Sequence, residues 1–205
     1  VLSKRLHEKV EKECEIPVEL AMRYGKPSIE TGIQNLINKG VNEILLIPLY
    51  PQFAMATTET IEVEASKIVK KKFPNVSIHN FASFYNKENY IDALSQSIQV
   101  EIEQKKPEHL LFSYHGVPER HIRKSDITKS HCTIDGSCCN KPSPAHEFCY
   151  RHQCDETTKL VAEKLELPKE FFSTSFQSRL GRDPWLQPYT DKTIDGMAIK
   201  GIKNL

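Results

Sequence analysis

The sequence predicts an α/β protein with parallel sheets flanked by helices. Two observations carry this. Short apolar runs alternate with segments of helical periodicity along the chain, and a strand–helix–strand–helix order feeds parallel strands. One such run, Leu110-Leu111-Phe112-Ser113-Tyr114, breaks into polar residues at His115-Gly116 and stops at Pro118. In open α/β sheets, ligands bind just beyond the carboxyl ends of strands.

Residues 3–13 carry Leu6 and Val10 on one face and charges elsewhere, which predicts a helix. Residues 17–22 read as a strand that ends in Arg23-Tyr24-Gly25-Lys26-Pro27. Ser28 then caps a helix that reaches Lys39 and closes at Gly40. Residues 43–48 are a second, fully buried strand, the loop 49–58 follows, and a helix covers 58–72. Its last turn, Lys70-Lys71-Lys72, faces the negative end of the helix dipole. A third strand is expected over 76–81, a helix over 87–105 capped by Asn86, and a fourth strand over 109–114. Residues 119–124 suit a short helical turn. The stretch 125–152 is rich in Cys, Ser, Pro, His and Asn and lacks periodicity, so it reads as an ordered insertion. A helix over 155–165, a fifth strand over 171–175 and a helix over 192–200 complete the order. Pro107 follows a complete helix and divides the chain into units 1–106 and 107–205, the second with a Cys-rich insertion over 125–154.

Composition narrows the function. Hydrophobic residues make up 39% and charged residues 27%, which suits a soluble globular protein with a full core. A net charge of +1 gives no support to a nucleic-acid partner. No apolar run approaches a membrane span, and residues 1–13 are charged, unlike a signal peptide. Gly116 and Gly181 stand isolated, so no phosphate-cradling loop is present. The start at Val1 and the end just after Gly201-Ile202-Lys203-Asn204 suggest a central fragment of a longer chain. Of six cysteines, Cys14 stands alone, while Cys132, Cys138, Cys139, Cys149 and Cys154 fall within 23 residues. Without a secretion signal, metal binding is a stronger reading of that cluster than a disulfide framework.

Four loops are expected at the carboxyl edges of the strands: Arg23-Tyr24, Tyr50 to Thr58, Tyr114 to Arg120, and Ser175 to Pro188. They combine aromatics with arginines. Aromatics suit a large flat apolar ligand, and arginines suit carboxylates on its rim. Any one aromatic taken alone reads as closing the core; four such loops on one sheet edge shift the reading toward a site. His115 suits proton transfer or metal ligation, against the plainer reading of a loop histidine.

The segment Ser113-Tyr114-His115-Gly116-Val117-Pro118-Glu119-Arg120 resembles the signature of the ferrochelatase family. Leu49-Tyr50-Pro51-Gln52-Phe53 with Thr57-Thr58 is similar to that family's Tyr-Pro-Gln loop, and Arg23-Tyr24 to its Arg-Tyr pair. Phe176-Gln177-Ser178-Arg179 through Trp185-Leu186-Gln187-Pro188 and Thr190-Asp191 resembles a further segment. The resemblance implies a chelatase-like fold: two similar Rossmann-like lobes with a porphyrin held in the cleft between them. It implies insertion of ferrous iron, as substrate, into protoporphyrin IX or coproporphyrin. His115 matches the essential histidine, as base or Fe2+ ligand. Arg23, Tyr24, Tyr50, Gln52, Ser178 and Trp185 match cleft-lining positions. The family's partner glutamate would follow Leu205 and the first strand would precede Val1, so the fragment alone is expected to be inactive.

A cytoplasmic protein is expected, with peripheral membrane contact and the oligomeric state left open by the resemblance. The spacing Cys132-x5-Cys138-Cys139-x9-Cys149-x4-Cys154 lacks zinc-ribbon knuckles. Some microbial ferrochelatases hold a 2Fe–2S cluster on cysteines of an internal insertion, which makes these five candidate ligands; a reduced, cysteine-rich surface loop is the other reading. Met55 stands where the animal branch has a ligand, so an animal-type cluster is not expected. The alternatives to iron insertion are a cobalt or nickel tetrapyrrole chelatase and a non-catalytic iron–sulfur or haem-binding module.

Overall fold

The computed structural model describes residues 2–205; Val1, which opens the charged segment 1–13, lies outside them. Two compact units are present. The first comprises the chain up to Leu49 together with Ala56–Ala82, and the second comprises Tyr50–Met55 with Ser83–Leu205. Among the described residues no helix is long and apolar enough to cross a membrane.

In the first unit, α1 (Leu2–Glu13) is followed by α2 (Ile29–Asn38), β1 (Glu43–Leu46), α3 (Thr60–Lys72) and β2 (Ser77–Asn80). The Ser28 hydroxyl accepts the Thr31 N–H at 3.1 Å, as the sequence predicts for an N-cap. Gly40 stands at φ +83°, just past the cap residue Lys39, where a side chain would be strained. β1 and β2 pair in parallel from Glu43 with Ser77 to Leu46 with Asn80. Their inward face joins Ile44 to Ile29, Ile33, Ala65 and Val69 of the helices. At the end of α3, Lys72 reaches back to Glu30 at 2.6 Å.

The expected strand over 17–22 is absent. Only Met22 makes a bridge, with Ser28. The segment is extended but laid on α2: Asn35 donates to Glu19 at 3.1 Å, and Ala21 packs on Gly32, whose added Cβ would stand 3.2 Å from it. Its apolar residues therefore report contact with a helix, a role that a short run cannot distinguish from a strand.

The second unit contains α4 (Glu88–Lys105), β3 (Leu110–His115), α5 (Glu119–Ser125), α6 (Tyr150–Lys164), β4 (Phe172–Gln177) and α7 (Thr190–Ile199). β3 and β4 pair in parallel, from Leu110 with Phe172 to His115 with Gln177. Helix α4 packs on α6, so the expected lobe boundary at 106/107 falls inside this unit. Lys87, not Asn86, precedes α4 as its cap residue, and no side chain caps it.

Helix α6 begins five residues earlier than expected. Its inward face is Gln153, Cys154, Thr157, Thr158, Val161 and Ala162, too polar in its first half to show an apolar period. The predicted insertion is correspondingly shorter. It holds two 3-10 turns, Ser137–Asn140 and Pro144–Phe148, while Cys149 and Cys154 join the core with Ala54, Val117, Ile122, Phe176 and Leu186.

Candidate active site

Strand β3 ends on a residue the sheet does not bury. His115 is exposed and pairs in register with Gln177 at the last position of both strands. Its Nδ1 lies 2.7 Å from the Gly116 carbonyl oxygen. A carbonyl only accepts, so Nδ1 carries the proton and Nε2 keeps its lone pair. The His115 carbonyl accepts the Tyr150 hydroxyl at 2.8 Å, which ties the strand end to the first turn of α6.

Gly116 makes the next step of the chain possible. Its N–H donates to the Gln177 carbonyl at 2.7 Å. A Cβ there would stand 2.8 Å from that same oxygen and 3.3 Å from Trp185 Cε3, so only glycine permits the approach. The segment 184–186 then runs antiparallel to 117–119. Pro118 bridges Trp185, Leu186 N–H donates to the Val117 carbonyl at 3.0 Å, and Glu119 N–H donates to the Pro184 carbonyl at 2.9 Å. An Arg120–Asp183 ion pair closes the outer edge. Trp185 donates its indole N–H to the Leu180 carbonyl at 2.9 Å, and its ring centroid lies 6.5 Å from that of His115. Two of the predicted site residues are thereby brought together.

Ser178 follows β4, exposed and at φ +68°. Beside it, Arg179 pairs with Asp191 at 3.0 Å and lies over the Tyr189 ring at 4.4 Å. In the loop before α3, Tyr50 is 44% exposed, whereas Gln52 is buried and donates to Thr157 Oγ1 at 3.0 Å. Gln52 therefore anchors the loop that carries Tyr50. In the first unit, Arg23 donates to the Thr60 carbonyl at 3.1 Å and its guanidinium lies 4.8 Å over the Tyr24 ring, which is 74% exposed.

A family model described as Ferrochelatase matches residues 1–205. The chain belongs to the ferrochelatase family. It is 43% identical over 206 residues to the ferrochelatase of Pseudomonas syringae pv. tomato and 45% identical over 207 residues to that of Pseudomonas fluorescens, in each case across all of this chain and 60% of the relative. It is 41% identical over 191 residues to the ferrochelatase of Opitutus terrae, across 93% of this chain and 55% of the relative. The chain thus spans about 60% of the length of the Pseudomonas relatives. Among solved structures it is similar to SirB from Bacillus subtilis with Fe3+, with a TM-score of 0.61, 15% identity, and coverage of 95% of this chain and 63% of that one. This likeness shows the fold, an α/β arrangement of the chelatase kind.

All six cysteines of this ferrochelatase-family chain are free thiols; Cys14 is exposed in the first unit, while Cys132, Cys138, Cys139 and Cys149 gather at the insertion. Cys132 meets Cys138, Cys138 meets Cys139, and Cys139 donates to the Cys149 sulfur. That bond holds Cys149 below the ordinary thiol value and Cys139 above it. Cys154 stands apart: it is 0% exposed in the core, and burial pushes its thiol well up. Asp126 fixes the start of the insertion, accepting the N–H groups of Thr128, His131 and Cys132, each at 2.9 Å. Burial alone would raise its carboxyl, but these bonds outweigh it and hold the group at about 2. Among the described residues no three His, Cys, Asp or Glu side chains are arranged to hold a single metal ion. The four thiols joined by these pairwise bonds equal in number the ligands of a two-iron cluster.

Sequence reasoning missed Tyr150 and Gln153, which lie where no helix was expected. Gln153 is 0% exposed, accepts the Phe53 N–H at 2.6 Å and donates to the Glu147 carbonyl at 2.8 Å. The signal that could have found it is weak: a lone glutamine between two cysteines in a stretch without apolar periodicity.

Proposed function

We propose that the protein carrying this chain inserts ferrous iron into protoporphyrin IX, forming protohaem and releasing the two pyrrole N–H protons. The observation that carries the proposal is the His115 tautomer: Nδ1–H is held by the Gly116 carbonyl, so Nε2 offers a lone pair at the end of β3, beside Trp185. Family membership supports the same reading. A neutral imidazole either ligates iron or takes a proton through one nitrogen, and Nε2 is the atom for that step. In the second unit, Trp185 and Tyr50 are assigned as apolar walls for the macrocycle and Ser178 as a polar contact; Arg23 and Tyr24 keep the roles that the family resemblance implies. Gln52 acts by anchoring the Tyr50 loop.

The test is anaerobic ferrous-iron insertion into protoporphyrin IX by the complete protein, followed by loss of porphyrin fluorescence. Turnover is expected. Refusal of both protoporphyrin IX and coproporphyrin III would overturn the reading, in favour of a cobalt or nickel chelatase if those ions are inserted, and of a non-catalytic binding module if none is.

The same proposal assigns Cys132, Cys138, Cys139 and Cys149 to a 2Fe–2S cluster and leaves Cys154 to the core. When bound, the cluster supplies one-electron redox capacity; the protein's own thiols hold the insertion on α6. Purified protein is expected to show a visible absorption band with about two iron and two acid-labile sulfide equivalents per chain. Colourless, sulfide-free protein would refute the assignment. The setting proposed is the cytoplasm, where reducing conditions keep cysteine thiols available as ligands.

A further inference from the structure

Three imidazoles converge beside the thiols without using a sulfur atom. His131 Nε2 lies 3.0 Å from the Cys138 carbonyl oxygen and 3.3 Å from His146 Nε2. His146 Nε2 lies 3.4 Å from that same oxygen. The His146 ring is stacked on His152, with centroids 3.6 Å apart and planes 12° apart, and His152 Nδ1 donates to the Cys139 carbonyl at 3.1 Å. His152 thus fixes the plane of His146.

As a hydrogen-bonded triangle this arrangement cannot satisfy all three edges at once. If both Nε2 atoms carry protons, two N–H groups crowd each other while sharing one acceptor. If only one does, the lone pair of the other faces the carbonyl oxygen. A cation just off the plane of the three atoms removes the conflict, because each can then turn a lone pair toward it. The spacing agrees: for metal–ligand bonds of about 2.0–2.2 Å, donors around a four- to six-coordinate ion stand about 3.0–3.4 Å apart. All three edges fall in that range. Imidazole and carbonyl donors suit a divalent transition ion, and the half-buried rings leave room for water in the remaining positions.

We propose that His131 Nε2, His146 Nε2 and the Cys138 carbonyl oxygen form a binding site for a divalent transition-metal ion of the zinc or ferrous class. The site is separate from His115 and from the thiol sulfurs, and it does not depend on the chelatase reading. Bound metal would cross-link both ends of the insertion, since His131 precedes and His146 follows the Cys138 turn.

The test is a Co2+ titration of the full chain, read by absorption. One binding phase is expected to show weak d–d bands without the intense thiolate charge-transfer band. In His146→Ala the affinity of that phase is expected to fall by at least about 100-fold, since loss of an outer-shell partner of a ligand already costs about 10–100-fold. Absence of binding, a thiolate band on every bound ion, or an unchanged phase in His146→Ala would each overturn the proposal. Should that variant fail to fold, the wild-type protein decides. Paramagnetically shifted His131 and His146 ring protons in the Co2+-loaded spectrum are expected, and their absence overturns the site.

Discussion

Replacing His115 by alanine is expected to lower kcat for ferrous-iron insertion by about 10³-fold, within the range that general acid–base groups contribute. The effect follows from what the His115 ring does and does not touch. Its one hydrogen bond is to the carbonyl of the next residue, and the ring is exposed. Removing an exposed side chain away from the core changes stability by about 0.5 kcal/mol or less. The loss should therefore appear in kcat, with unfolding by urea unmoved. Porphyrin affinity, measured by fluorescence quenching, should stay within a few-fold, because the walls remain. His115→Gln should be equally slow, since its amide offers no basic nitrogen. Turnover retained in either variant would remove His115 from the chemistry.

How much of this was visible in the sequence depends on how each residue advertises its role. The segment from Leu110 to Pro118 is legible because an apolar strand, an exposed polar end and a stop occur in order along one local stretch. Ser28 and Gly40 are legible for the same reason, since a cap is a short-range device. The 17–22 segment misleads because its apolar residues serve a helix through Ala21 and Gly32, and short runs carry no mark of which partner they meet. The start of α6 is hidden because its buried face is built from Gln153, Cys154, Thr157 and Thr158, whose partners lie far away in sequence. Gln52, matched by resemblance to a cleft position, is buried against Thr157, a pairing across 105 residues that no local pattern encodes. The histidine triangle is likewise a product of tertiary folding, since His131 and His146 are fifteen residues apart.

Gln153→Leu is expected to cost about 3–5 kcal/mol of stability, among the largest single effects in the second unit. The carboxamide serves three backbone groups at once: it accepts from the Phe53 N–H at 2.6 Å and donates to the His146 and Glu147 carbonyls at 3.1 and 2.8 Å. Leucine has similar volume, so the effect is not a cavity. It strands three polar groups in a region closed to water, each at about 1–3 kcal/mol before relaxation. Two segments lose their hold on α6 together, the loop bearing Tyr50 and the insertion bearing the thiols, so iron insertion should weaken alongside stability. Gln153→Glu separates the terms. It keeps an acceptor for Phe53 but sets a carboxyl against two carbonyls, which favours the protonated form in the folded state. The folded state then binds more protons than the unfolded one, so stability should fall as pH rises above about 4.3, the ordinary glutamate value. Urea unfolding of both variants between pH 4 and pH 8 measures this. A loss under about 1 kcal/mol in Gln153→Leu would mean the three backbone groups find other partners, and that the two segments are held by their own packing, Phe53 on Phe148 above all.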